Sequence, residues 1–399
     1  MQKRIMILGA SRYYARSIET AKEAGYWVFA VDKNPDSPGF HVANDYAVCD
    51  IIDTTELIKL CTKHKIEAVI PLNDYGVISA AAISEKLGMI GISQEAALLA
   101  TNKAAMRNKW QQSGVPCPKL FVAKTPEEII AAATEIGFPC ILKPAHGIGG
   151  ASRGVIVVNE PSELENAIAF CHNFYNDKTT LVESFINSEI EHSIELLIIN
   201  GTPKVIAVAD KIKTPLPYRV DKNVLYPSRV SPQQRNILEE TAIQAVISLG
   251  ITTGAAHVEL ATTANGPILF ELGARCGGGG TPSTIVPFST GVNIFAELTR
   301  ILAGDSISNI TPLYNKGCNY HFFTPAPGKI ASINGFDKIQ EHPNILDAEI
   351  FVVERSTIPP VTVGTERSGF MIIGASDAEE SLNIGNELES LLEIEYENL

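Results

Sequence analysis

The chain has 399 residues, too many for one simple core and suited to two or three domains. Hydrophobic residues make up 45%, and 45 acidic against 32 basic side chains give a formal net charge of −13, which disfavours a general nucleic-acid surface but still allows a local basic pocket. No stretch approaches the roughly 18–20 apolar residues of a membrane span, the start MQKRIMILGAS lacks a signal-cleavage region, and seven scattered cysteines without a CxxC pair read as free thiols, so a cytoplasmic protein is expected.

RIMILGAS is a buried-strand pattern closing on Gly9, followed by the helix YARSIETAKEAG and the strand YWVFAVDKNP. DTTELIKLCTKHK reads as a helix, IEAVIPLND as a strand with Asn73 and Asp74 at its tip, and VISAAAISEKLG as another helix. This alternation predicts an open parallel sheet, whose strand tips are where such sheets bind ligands. The GxGxxG fingerprint is absent, because position 11 is serine and position 14 tyrosine. Asp32 alone is then a weak sign of a dinucleotide, and 1–98 is expected to be a Rossmann-like domain without its usual cofactor.

A second unit opens with a helix from Lys103 to Gln112, then KLFVAK and FPCILKPA as strands around the helix PEEIIAAATEIG. A helix from Pro161, the strand TTLVESFI and a hairpin around Asn200-Gly201 continue it. KTPLPYRVDKNVLYPSRV has no convincing period and reads as a long irregular loop carrying Arg219, Tyr226 and Arg229, with a functional or mobile role. A helix from Pro232 to Gly250 precedes HVELATTANGPILFELGARCGGGG, two apolar runs around a TANG turn, each with one glutamate inside. Glu259 and Glu271 are either acids on the wet face of this hairpin or members of a site, since ionised carboxylates are costly to bury unpaired. Beyond Asp305 short strands and an acidic helix suggest a smaller α+β lobe.

In CILKPAHGIGGASRGVIVV, a strand bearing Lys143 feeds a turn with Gly147, Gly149, Gly150 and Gly154. Glycines let backbone N–H groups approach phosphate oxygens, and a lysine adds a point charge. The lysine precedes the glycines and no GK[ST] follows, so this is a hairpin over a phosphate chain rather than a P-loop.

These motifs, in this order over about 170 residues, make the chain resemble the ATP-grasp superfamily of carboxylate ligases across essentially its whole length. Its relatives in organisation are the bacterial L-amino-acid ligases, the purine-pathway carboxylate–amine ligases and biotin carboxylase. The resemblance implies α/β and α+β multidomain architecture: a Rossmann-like domain over 1–98, an ATP-grasp region over 99–305 and a lobe over 306–399 that completes it. Lys103 and Lys143 would contact ATP phosphates under a lid of Gly147, Gly149, Gly150 and Gly154. Glu183 with Ser184, Phe185 and Ile186 would meet adenine, Glu191 would hold the ribose hydroxyls, and Lys211 would support catalysis. Glu259 and Glu271 match the two metal acids, for one or two Mg²⁺ ions with Mn²⁺ as a substitute, and Arg275 would steady the transferred phosphoryl group or the acyl phosphate. Gly273 stands where relatives commonly carry the asparagine of ExNxR. Cys276 reads as a small packing residue.

The implied reaction joins a carboxylate to an amine through an acyl phosphate, releasing ADP and phosphate. Amino-acid-like substrates are the first expectation, a purine-pathway ligase the second, and a nucleotide-binding regulatory protein without turnover the third. Substrate contacts are expected from Asn73, Asp74, Arg219, Tyr226, Arg229, His257 and Arg367. The expected partners are small molecules, with neither nucleic acid nor membrane, and a homodimer is the expected assembly.

Overall fold

The computed structural model describes residues 2–145, 152–188 and 190–397. The strands Arg4–Leu8, Trp27–Asp32, Asp45–Val48 and Ala68–Pro71 form a four-stranded parallel sheet, with Arg4–Leu8 between Trp27–Asp32 and Ala68–Pro71. Ile5, Met6, Ile7 and Leu8 are all fully buried, as expected of a parallel strand covered on both faces. The short edge strand Asp45–Val48 and the helix Gln94–Thr101 escape a reading from apolar runs, because the first is largely exposed and the second is alanine-rich.

Asp32 accepts backbone N–H bonds from Ala10 (2.8 Å) and Asn34 (3.0 Å), so its carboxylate fixes the first turn. Asn73 caps the helix Asp74–Leu87 by accepting from the Gly76 N–H, which starts that helix at the strand tip and sets Asp74 in its first turn. A four-stranded antiparallel sheet over residues 120–184 forms a second unit. Its central strands are Cys140–Pro144, carrying Lys143, and Thr180–Ser184, carrying Glu183.

An eight-stranded sheet runs through the rest of the protein. Its order begins Gly266–Gly273, Gly254–Thr263, Glu191–Ile199, Thr202–Lys213 and Asp221–Tyr226, then crosses into Gly317–Phe323, Gly369–Ala375 and Ile345–Ile350. The C-terminal lobe is therefore hydrogen-bonded into the same sheet as the central region. Asp221–Tyr226, inside the segment expected to be irregular, is an interior strand paired on both sides. Only Val224, Leu225 and Tyr226 give it an apolar run, and prolines flank it, so the ladder depends on its neighbours rather than on local pattern.

The pleat sorts charge from core. Along Gly254–Thr263, Ala256, Val258 and Leu260 are fully buried in a cluster with the helix Pro232–Ser248, while His257 and Glu259 lie on the opposite face. The same alternation places Glu191, Ser193 and Glu195, then Lys211 and Lys213, on the charged face. Registers His257↔Glu195 and Glu259↔Glu271 bring these groups side by side.

On the packed face, His192 and Asp210 are fully buried partners across two strands. Asp210 also accepts from the Ser228 hydroxyl (2.5 Å) and from the Arg229 backbone N–H and Nε (3.1 Å each), while His192 Nε2 meets Thr262 at 2.9 Å. Burial raises the Asp210 pKa, but hydrogen bonds from His192, Ser228 and Arg229 outweigh it and hold the carboxyl down at about 2. A depressed carboxyl contributes stability above its unfolded pKa of about 3.9, lost as pH falls through the folded value. Asp210→Asn is expected to cost about 2 kcal/mol at pH 7, with the gap from wild type closing as pH falls from about 4 toward 2 in urea melts.

Candidate functional site

The charged face of the large sheet floors a cleft of about 440 Å³, closed by the tip of the parallel sheet, the four-stranded unit and the C-terminal lobe. Lys103, first residue of the helix Lys103–Gln112, makes an ion pair with Glu271. Lys143 Nζ lies 2.6 Å from Glu183, whose other oxygen is 3.3 Å from Arg107 Nε. Lys211 Nζ lies 2.5 Å from Glu259 and 3.3 Å from Asp221. Glu191 is shared by Lys213 (3.0 Å) and Arg219 (2.5 Å). Each acid expected at a metal, base or sugar thus touches a cation of the same cleft.

Electrostatics follows from this pairing. Burial disfavours the charged form of Glu259, but Lys211, His257 and Lys213 outweigh it and hold the carboxyl well below its usual range. Burial pulls the Lys143 pKa down to about 8, with Arg107 and Lys103 adding to it and Glu183 opposing. His257 places Nδ1 2.5 Å from Glu195 and Nε2 3.2 Å from Glu259. Burial lowers its pKa, but these carboxylates raise it to about 9.

Ser184, Phe185, Ile186, Glu183 and Glu191 all line the cleft, at the end nearest the four-stranded unit. The Glu183 carboxylate is engaged by Lys143 and Arg107, which leaves the adjoining segment 184–186 as the accessible edge. Asn73, Asp74, Arg219, Tyr226, His257 and Arg367 also line the cleft. Arg229 lies away from it, its guanidinium spanning Asp210 (3.1 Å) and Glu379 (3.0 Å); it fastens the chain after Tyr226. Gly147, Gly149 and Gly150 lie outside the described residues. Gly154 is a packing turn at φ +70°, where a Cβ would come within 2.9 Å of Pro144, and the cleft is lined instead by Ser152, Arg153 and Val155. Cys276 is buried beside Arg275 with its thiol pKa pushed up by burial, as befits a packing residue.

Lys213, Asp221, Glu195, Arg107 and Tyr14 are members of this cleft or its support that sequence reasoning passed over. The Lys-x-Lys spacing of 211 and 213 was the usable sign of the first, since alternate strand residues share a face. Glu195 sits inside the apolar run SIELLII and shows only through its register with His257.

Among the described residues no cluster of three or more metal-ligating side chains occurs. Two oxygen donors in direct register suit Mg²⁺, which keeps waters and substrate phosphates in its shell rather than an all-protein cage. No helix among the described residues is long and apolar enough to cross a membrane.

Family models match three stretches: a PylC-like N-terminal domain over 5–94, an ATP-grasp domain over 136–283 and an L-amino acid ligase C-terminal domain 2 over 321–397. A formate-dependent phosphoribosylglycinamide formyltransferase of Trichormus variabilis is 29% identical over 207 residues, 50% of this chain and 51% of that one. The chain spans about half the length, or less, of the curated relatives it matches. An L-amino acid ligase from Bacillus licheniformis superposes with a TM-score of 0.85 at 22% identity, covering 100% of this chain and 99% of that one. The biotin carboxylase domain of the Hydrogenobacter thermophilus 2-oxoglutarate carboxylase, solved with MgADP, ADP and bicarbonate, gives 0.76 at 20% identity, covering 99% of this chain and 91% of that one. These structural likenesses show the fold, and the matched stretches show a chain that carries an ATP-grasp domain between a PylC-like N-terminal domain and an L-amino acid ligase C-terminal domain 2.

Proposed function

We propose that the cleft binds Mg·ATP, activates a carboxylate as its acyl phosphate and passes the acyl group to an amine. The observation that carries this reading is the interleaving of acids and cations around one cleft, with Lys103 on Glu271, Lys211 on Glu259 and Lys143 on Glu183. A phosphate chain laid along that cleft would meet the lysines, and the carboxylates released from them would become donors for a hard cation. Mg²⁺ bound to Glu259 and Glu271 would neutralise charge on the phosphate oxygens.

The chain's own residues do the rest by alignment and charge compensation. Segment 184–186 would receive adenine, Glu191 the ribose, and Lys103, Lys143 and Lys211 the phosphates. A carboxylate oxygen attacks the γ-phosphorus, the bond to the β–γ bridging oxygen breaks, and ADP leaves. The amine then attacks the acyl carbon and phosphate departs. Arg275 would steady the transferring group.

Two substrate classes have support. An amino-acid-like pair is favoured by the match to the L-amino acid ligase C-terminal domain, which contributes Arg367. A purine-type substrate is favoured by the named sequence relatives, among them formate-dependent phosphoribosylglycinamide formyltransferases. Arg367 is a half-buried cation in either case. Its Cζ stacks 3.5 Å from the Phe322 ring centre, its donors reach backbone oxygens of Gly364 and Asp221, and among the described residues no carboxylate forms an ion pair with it. It suits the anionic end of a substrate, a carboxylate in the first class and a phosphate in the second.

ADP and phosphate release from Mg·ATP, measured over amino acids singly and in pairs and over purine-type carboxylates, tests the reading. Release that needs a carboxylate and an amine, with a product one water lighter than their sum, is expected to vanish in Glu271→Ala. ATP binding without release across both panels would overturn it in favour of a non-catalytic nucleotide binder. Lys143 gives a second test. Near pH 8 part of its population is neutral, and a bound phosphate restores the charge, so MgADP binding should take up a fraction of a proton. Calorimetry in buffers of different ionisation heat should find this uptake at pH 8, little of it at pH 6.5, and none in Lys143→Arg.

A further inference from the structure

Position 14, where a dinucleotide fingerprint would carry glycine, is a tyrosine, and Tyr13 precedes it. Both belong to a short 3₁₀ turn, Arg12–Tyr14, after the first parallel strand, and both line the cleft. Tyr14 rests on Gly9 and stands beside Asp74 and Arg275, which hold each other through two bonds of 2.8 Å. Tyr13 belongs to the opposite end, where the charges that face it are Arg367, Arg12 and Glu349. One turn of the parallel-sheet domain thus spans the cleft from Arg275 to Arg367.

The Arg367 end is walled by rings that support one another. Tyr13 meets Phe351 edge-on with ring centres 5.8 Å apart, Phe351 meets Phe370 at 6.0 Å, Phe370 meets Tyr320 at 5.3 Å, and Tyr320 meets Phe322 at 4.3 Å. Tyr13, Tyr320 and Phe322 are the members that line the cleft. Gly279 clears the way for this wall: its φ is +62°, and a Cβ there would come within 2.5 Å of the Tyr320 hydroxyl. Part of the four-glycine run is explained by that ring. Arg367 stacks on Phe322 and spends Nε on the Gly364 carbonyl and one Nη1 hydrogen on Asp221, which leaves the rest of its five-donor fork for a ligand. Arg12, the next cation, is committed to Glu349 at 2.7 Å and lies outside the cleft lining.

We infer that the Arg367 end of the cleft is the subsite of the amino acid that supplies the amine, one with an aromatic or large apolar side chain, whose carboxylate lies on Arg367 and whose side chain lies against Tyr13, Tyr320 and Phe322. A single planar fork matches a carboxylate through two parallel bonds. A phosphate dianion calls for more donors than one guanidinium, and a ribose calls for polar partners where this end offers ring faces. Such faces favour a side chain that is itself large and apolar. The inference names the amine substrate of the proposed ligase and rests on that reading, but its measurement requires no turnover.

Calorimetry in saturating MgADP tests it, with phenylalanine, alanine, phenylalaninamide and ribose 5-phosphate as probes. Phenylalanine is expected to bind at least about tenfold tighter than alanine, which lacks the ring, and than phenylalaninamide, which lacks the carboxylate. Arg367→Met should bring phenylalanine and its amide to the same affinity, with MgADP affinity within about twofold of wild type. Tyr13→Ala should narrow the gap between phenylalanine and alanine by about threefold or more. If circular dichroism shows Arg367→Met to be misfolded, Arg367→Lys carries the test, because it keeps the charge, loses the fork and should narrow the gap between phenylalanine and its amide. Phenylalanine bound no tighter than alanine, tighter binding of ribose 5-phosphate, a carboxylate preference that survives loss of the guanidinium, or no binding of any probe would overturn the inference. Failure of ADP release across every substrate pair, beside the predicted binding, would instead count against the proposed activity alone.

Discussion

The alternation of a pleated strand is the constraint on which this structure depends. Strands Gly254–Thr263 and Glu191–Ile199 must give alternate residues to a helix-packed core, and Val258, Leu260, Ile194 and Leu196 fill that requirement at full burial. The intervening positions are then free to carry charge, and they carry much of it: Glu191, Glu195, His257 and Glu259 within two neighbouring strands. Such a density of carboxylates in a closed cleft is tolerable only if cations answer it. Lys211 and Lys213 arrive on the next strand at the right register, while Lys103 and Lys143 arrive from the other units. Architecture and charge balance are therefore one problem with one solution.

Much of this was legible in sequence because the decisive residues interrupt strong patterns. Glu259 and Glu271 stand inside apolar runs, and Lys143 stands between a buried strand and a glycine-rich turn. The parallel sheet was legible because its strands are continuous apolar runs spaced by helices. What stayed hidden depends on partners remote in sequence. Asp221–Tyr226 becomes a strand only because Thr202–Lys213 and Gly317–Phe323 offer it two ladders. Arg229 and Arg219 looked alike in an aperiodic segment, yet one faces Glu191 in the cleft and the other is bound to Asp210 behind it. Gly154 shares its sequence context with Gly147, Gly149 and Gly150 but is committed to packing on Pro144.

Gly273 shows how an apparent departure from a motif acquires a physical reading. Taken alone it leaves the strand without a side chain two residues after Glu271. Taken with Asp74, it is the space that a second domain uses to hold Arg275. The cleft is thus shaped by the parallel-sheet domain as well as by the sheet that floors it.

The claim most exposed to test is that Glu259 and Glu271 exchange their lysine partners for a metal when nucleotide is bound. Titration of Mn²⁺ by electron paramagnetic resonance, with and without ADP, reads this directly. Wild-type protein should bind Mn²⁺ tightly only with ADP present, and Glu259→Gln or Glu271→Gln should weaken that binding at least about tenfold. Mn²⁺ binding that ignores ADP, or that survives both substitutions, would contradict the account.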